Sequence, residues 1–247
     1  MSKRTGLFVI LRMILILIAE IIVLSVGILI MAVGNLVSLG RWQDHTFRFT
    51  SFLFGRTALA LAGIRMKVHH HGEMPQQPVV YLFNHSSTLD LFVGTALALP
   101  RVRYIAKREL GYNPLFWMVA KLSGQIMIDR KDPREAIKQM SRAYKYLRKR
   151  RFSLMLAPEG TRSRTGELLP FKTGAFHAAV ELGYPIVPIY IEGAYELCPG
   201  SSLVAQPGTI HVHFHKMVDT SGWDRKSIRK HAEEMRKHYL EWRGEAS

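Results

Sequence analysis

Residues 7–39 form an almost unbroken apolar run, interrupted only by Arg12, Glu20, Ser25, Asn35 and Ser38. The run exceeds both the roughly 20 apolar residues that cross a bilayer core and the ~7 to 15 of a signal-peptide apolar region. It predicts a membrane anchor over residues 1–40, built either as one transmembrane helix or as two re-entrant half-helices. Glu20 is the residue that sits worst in lipid, because a carboxylate at mid-bilayer is expensive. Residues 41–247 have the composition of a single globular domain, long enough to bury a sizeable core. Lys3, Arg4 and Arg12 near the start of the run are outnumbered by Arg41, Arg48, Arg56, Arg65 and Lys67 after it. That bias places the domain on the cytoplasmic side of the membrane, the inner membrane if the source is bacterial.

The chain carries 34 Lys and Arg against 19 Asp and Glu, a formal net charge of +15. Such a balance points to a polyanionic partner. Next to an anchor, anionic lipid headgroups fit better than nucleic acid, which calls for aromatic residues interleaved with the basic ones. Residues 130–151 hold ten basic and two acidic residues, and Ile137, Met140, Tyr144 and Leu147 recur at helical spacing. They predict a basic helix with one apolar stripe, packed on the domain or resting on headgroups. The single cysteine, Cys198, excludes an internal disulfide and fits a reducing compartment.

Beyond the anchor, helical periods at 44–63, 88–99, 113–124, 130–151, 173–183 and 226–242 alternate with strand-like runs. The strands are "IRMKVHHHG", "PVVYLFN", "VRYIAK", "QIMID", "FSLMLAPEG", "IVPIYIEGA" and "GTIHVHFHK". This order predicts an α/β domain with a mixed, largely parallel sheet flanked by helices. Ligands of such sheets bind at the carboxyl ends of strands. The polar clusters "NHSSTLD", "AKREL", "DRKD" and "PEGTRSRTGELLPFKTG" each follow a strand, so they are expected to converge.

In "NHSSTLD", His85 leaves a strand end and Asp90 opens the next helix, so Asp90 can hold one imidazole nitrogen while the other acts as a base. A loop histidine beside a helix cap is the alternative. No G-x-S-x-G element occurs, and Ser86 and Ser87, the possible nucleophiles, sit beside His85 on the backbone, where reach is poor. If His85 is a base, the hydroxyl it activates belongs to a substrate. In "PEGTRSRTGELLPFKTG", Gly160 and Thr161 offer backbone amides and a hydroxyl, while Arg162, Arg164 and Lys172 add positive charge, a combination that holds phosphate. "HHH" at 69–71 alternates between strand faces. "HVHFH" places His211, His213 and His215 on one face, yet no acidic or cysteine partner stands near in sequence. No metal and no cofactor is assigned.

"NHSSTLD", "GQIMIDR", "PEGTRS" and "IVPIYI", in this order and spacing, resemble the four blocks of the glycerolipid acyltransferases. The likeness is strongest to the bacterial 1-acylglycerol-3-phosphate (lysophosphatidate) acyltransferases, to which "LLPFKTGAFHAAV" is also similar, and it covers residues 60–215. The resemblance implies that His85 deprotonates a glycerol hydroxyl for attack on an acyl thioester, with Asp90 as its partner. It implies that Gly124, Ile126, Asp129 and Arg130, and also Glu159, Gly160, Thr161, Arg162 and Lys172, serve the phosphate of the acceptor. Pro188 and Ile189 fall in the block linked to the acyl donor. The implied partners are lysophosphatidate, with acyl-CoA or acyl-carrier protein as donor, and the product is phosphatidate. Thr88 departs from the aromatic residue common at its position, which leaves other lysolipids, including lysophospholipid and lyso-ornithine lipid, as acceptors to consider. A non-catalytic binder of anionic lipid leaves the paired His85 and Asp90 without a role.

Overall fold

The computed structural model describes residues 3–129, 131–200 and 202–245. Helix α1 (Lys3–Val37) leads into α2 (Gln43–Leu61), after which strands and helices alternate. In chain order these are β1 (Ile64–His70), β2 (Val80–Phe83), α3 (Leu89–Ala96), β3 (Val102–Lys107), a 3-10 turn (Arg108–Tyr112), α4 (Pro114–Ser123) and β4 (Ile126–Ile128). Then come α5 (Pro133–Arg150), β5 (Ser153–Leu156), α6 (Gly174–Leu182), β6 (Ile186–Glu192), the short α7 (Ala194–Leu197), β7 (Gly208–Phe214) and α8 (Ile228–Trp242).

The seven strands form one sheet in the order β1-β7-β6-β2-β5-β3-β4. Every neighbouring pair is parallel except β6 and β7. Alternation along the strands sends side chains to two separate cores. Tyr81, Met155, Val187, Ile189, Ile210 and Val212 meet α2 and α3 on one face. On the other, Val80, Leu82, Leu154 and Ile186 meet α5, α6 and α8. Because β2, β3, β4, β5 and β6 all point the same way, their carboxyl ends share one edge of the sheet, which is where the chemistry-bearing loops begin.

Local sequence explains the helix ends. Asn113 accepts from the N–H groups of Leu115 and Phe116 ahead of Pro114, and Asp132 does the same for Arg134 and Glu135 ahead of Pro133. Both are side-chain caps followed by proline at the first helical position. The apolar stripe of α5 differs from the sequence reading at one position. Met140, Tyr144 and Leu147 face the core, joined by Ala143, whereas Ile137 is 68 % exposed.

Helix α1 is long and apolar enough to cross a membrane, with a mean hydropathy of 3.0 over Val9–Val37. Its inner side is docked on the domain along most of its length. Arg12 Nη2 donates to the Ala205 carbonyl, Ile16 packs on the α2/α3 core, and Asn35 Nδ2 donates to Leu122 O at 2.9 Å. Glu20, Leu24, Ile28 and Met31 are buried between these points. The polar residues that interrupt the run at 12, 20 and 35 therefore share the docked face with Ile16, Leu24, Ile28 and Met31, while Leu11, Leu15, Ile22 and Leu29 point outward.

Candidate active site

The first turn after β2 is fixed before any catalytic group is placed. The Asn84 side chain extends the β2/β6 ladder past its end: Nδ2 donates to Ile191 O at 2.8 Å and Oδ1 accepts from Ile191 N at 2.7 Å. From α8, Tyr239 reaches the same seam, where its hydroxyl donates to Leu82 O at 2.7 Å and accepts from Ile189 N at 3.2 Å. The backbone leading to His85 is thus held on both sides. Neither role had a signal in the sequence beyond the position of Asn84 at a strand end.

His85 Nδ1 lies 2.7 Å from Asp90 Oδ2. The same oxygen accepts the N–H groups of Ser86 (2.8 Å) and Ser87 (2.9 Å), so three donors fix the orientation of a carboxylate that is 2 % exposed. An acceptor on Nδ1 places that proton there and leaves Nε2 with its lone pair. Among the described residues nothing hydrogen-bonds Nε2. The His85 side chain is 25 % exposed, and its ring meets Phe83 edge-on at 5.8 Å.

The "PEGTRS" loop closes over this pair. Glu159 is 2 % exposed and spends both carboxylate oxygens on backbone, accepting from His85 N at 2.7 Å and from Leu169 N at 2.9 Å. Burial pushes its carboxyl above the usual range, against the two N–H donors that pull it down. Glu159 thus ties the His85 turn to the loop. Gly160 sits at φ +69°, and a Cβ there would come within 3.0 Å of the Lys172 stem, so Lys172 covers the turn from outside. Thr161 is exposed at the rim.

Arg162 Nη1 donates to Thr88 Oγ1 at 2.9 Å and to Gly200 O at 3.2 Å. The Thr88 hydroxyl passes its own proton to Ser202 O at 2.7 Å. Thr88, the residue that departs from the family pattern, is therefore the support of Arg162, a coupling that spacing does not reveal. Arg162 Nε is buried without a partner among the described residues.

His85, Asp90, Gly160, Thr161 and Arg162 line one end of a cavity of about 640 Å³. It runs under α2 and α3 past Tyr104, Met127 and Met155 to Leu24 of α1, and its walls are mostly apolar. Lys107, which ends β3, is the further charged residue on its lining. Three of the four expected clusters thus meet at this cavity. The fourth is adjacent: Asp129 pairs with Arg108 at 3.2 Å, and the Lys131 N–H with that guanidinium holds its carboxyl below the usual range. Arg130 lies outside the described residues.

The remaining predicted positions lie away from the cavity lining. Gly124 ends α4 in the left-handed region, at φ +70°, with Tyr146 where a Cβ would go, at the amino end of β4. Ile126 is buried in the α5/α6/α8 core. Pro188 and Ile189 are buried in β6, paired with Leu82 and Phe83.

A largely parallel sheet thus carries a histidine and carboxylate pair at a strand end, beside an arginine loop and an apolar cavity. A family model described as Acyltransferase matches residues 65–192, and the chain belongs to that family. It is 33 % identical over 169 residues to a 1-acyl-sn-glycerol-3-phosphate acyltransferase of Cocos nucifera, covering 68 % of this chain and 55 % of that protein. A protein of the same description from Salmonella typhimurium is 31 % identical over 179 residues, 72 % of each chain. The fold matches the crystal structure of the 1-acyl-sn-glycerophosphate (LPA) acyltransferase from Thermotoga maritima, with a TM-score of 0.69 and 23 % identity over 94 % of this chain and 97 % of that one. The chain spans little more than half the length of the coconut relative.

Proposed function

We propose that this chain transfers an acyl group from an acyl thioester to the sn-2 hydroxyl of 1-acylglycerol-3-phosphate, giving phosphatidate. The observation that carries the reading is the His85–Asp90 pair at the mouth of an apolar cavity whose rim holds Arg162. An apolar cavity suits an acyl chain, and an arginine with donors still uncommitted suits a phosphate. His85 Nε2 removes the proton as the acceptor oxygen attacks the thioester carbonyl. The tetrahedral intermediate collapses, the carbon–sulfur bond breaks, and the imidazolium returns the proton to the departing thiolate. Thioesters are already activated, so orientation and proton transfer suffice, with CoA or acyl-carrier protein as the thiol.

The test is turnover with lysophosphatidate by purified His85→Ala and Arg162→Ala. Removing the base is expected to lower kcat by about 10² to 10⁴. Arg162→Ala is expected to raise KM by roughly tenfold or more for the phosphate-bearing acceptor and little for an acceptor without phosphate. Wild-type rates from His85→Ala would sink the mechanism.

The same reading divides the chain into a membrane-docking segment, 1–40, and a catalytic domain, 41–247. Contacts from Arg12 to Asn35 occupy about 35 Å of helix at 1.5 Å per residue, which favours α1 lying along the domain over crossing the bilayer. Leu11, Leu15, Ile22, Leu29 and Leu36 are each more than half exposed on its outer side, as are Leu39 and Trp42 beyond it. That apolar band fits insertion into one leaflet, with anionic headgroups meeting the basic surface. In closed vesicles, cysteines introduced at positions 2 and 39 should both react with an impermeant maleimide from the same side. Labelling from opposite sides would establish a span instead.

A further inference from the structure

Strands β1 and β7 run parallel with His69 in register with His213 and Lys67 with His211. On its other side β7 is antiparallel to β6, which sets Tyr190 opposite His213 and Glu192 opposite His211. Alternation puts His69, His211, His213 and Glu192 on one face, opposite to the face of Ile210, Val212 and Phe214 that backs the cavity side. "HVHFH" lacked a partner in sequence, and the β1/β7 pairing brings one from "HHH", while β6 adds a carboxylate.

One ring nitrogen from each of His69, His211 and His213 lies within 4.8 Å of the other two. His69 Nε2 is 2.9 Å from His211 Nδ1. We propose that His69, His211 and His213 ligate one divalent transition-metal ion of the zinc class, with Glu192 beside them, tying the edge strand β1 to β7.

The donor set suits that class of ion. Imidazoles with a carboxylate favour zinc, nickel or copper over the hard ions, which prefer oxygen throughout. Zinc–nitrogen bonds of about 2.0 to 2.1 Å in a tetrahedron set ligand nitrogens roughly 3.3 Å apart, inside the range these rings span. Both nitrogens of His213 already have neighbours: His71 Nε2 lies 3.1 Å from Nδ1, and Glu192 Oε2 lies 3.3 Å from Nε2. Whichever nitrogen binds, the other keeps a partner that orients the ring, as metal-bound histidines require. Lys67 is exposed, so its charge reaches solvent. The site is independent of the acyl-transfer reading, whose chemistry uses no metal.

Untagged, detergent-solubilised full chain, stripped with EDTA, would be titrated with Zn²⁺ by calorimetry. Wild type and His177→Gln, a change at an exposed histidine of α6, should each bind one ion. His69→Gln, His211→Gln and His213→Gln should each weaken binding on the order of tenfold or more. Absence of saturable binding to wild type, or unchanged affinity in the three variants, overturns the proposal. A second readout uses wild type alone, so it does not depend on a variant folding. Zn²⁺ should protect His69, His211 and His213 from diethylpyrocarbonate, read by peptide mass spectrometry, and leave His177 reactive. Equal modification of all four with and without Zn²⁺ overturns it as well.

Discussion

Beneath α5, α6 and α8 the sheet presents Val80, Leu82, Leu154 and Ile186, each 0 % exposed and packed against Phe176 and Leu147. Beneath α2, α3 and α4 the sheet residues Tyr104, Met127 and Met155 border open space of about 640 Å³. Both faces come from the same alternating strands, so strand patterning does not decide which one is solid. The difference lies in the covering helices. On the solid side, small residues of α6 (Ala175, Ala178 and Ala179) let it settle onto the sheet. On the open side α2 is pinned to α3 instead: at Gly55 an added Cβ would lie 2.3 Å from Ala96 N. The tight contact is made between helices, and the β3 and β4 part of the sheet below is left partly open. Both faces bury a core, and the face under α2, α3 and α4 also leaves room for a ligand.

Truncating matched side chains tests that division. Leu147→Ala on the solid face should destabilise by about 2 to 5 kcal/mol, read as a fall in the denaturation midpoint, because the void it leaves is enclosed. Tyr239→Phe, where the solid face meets the site, should cost about 1 to 3 kcal/mol by leaving Leu82 O and Ile189 N short of a partner. It should also lower turnover, through the backbone that carries His85. Leu110→Ala, at a residue that lines the cavity and is 49 % exposed, should change stability by no more than about 0.5 kcal/mol. A loss at Leu110 as large as that at Leu147 would erase the distinction between the faces.

Much of this was legible in the residues. Period-two and period-3.6 patterns located the strands and the longer helices, and the rule of strand carboxyl ends brought His85, Lys107 and Arg162 to one place. What sequence could not supply was pairing between distant segments. β7 inserts between β1 and β6, and nothing local dictates that neighbour, so the histidines of β1 and β7 looked unrelated. Arg103 sits in an apparently apolar strand, yet it is fully buried, paired with Asp44 at 3.0 Å and stacked on Phe152. The dependence of Arg162 on Thr88 is likewise a contact across 74 positions. Gly124 shows the reverse limit, since a family block can mark a helix end as readily as a ligand contact.

The inner face of α1 has a consequence for how the chain is made. Its polar groups find their partners far along the sequence, Asn35 at Leu122 and Arg12 at Ala205, separations of 87 and 193 residues. Synthesis proceeds from the amino end, so α1 leaves the ribosome long before either partner exists. Until then Arg12 and Asn35 lack these carbonyl partners, and α2, which follows directly, is the part of the chain that α1 can pack against. The hydrogen bonds of α1 to the domain are complete only once Ala205 has been made.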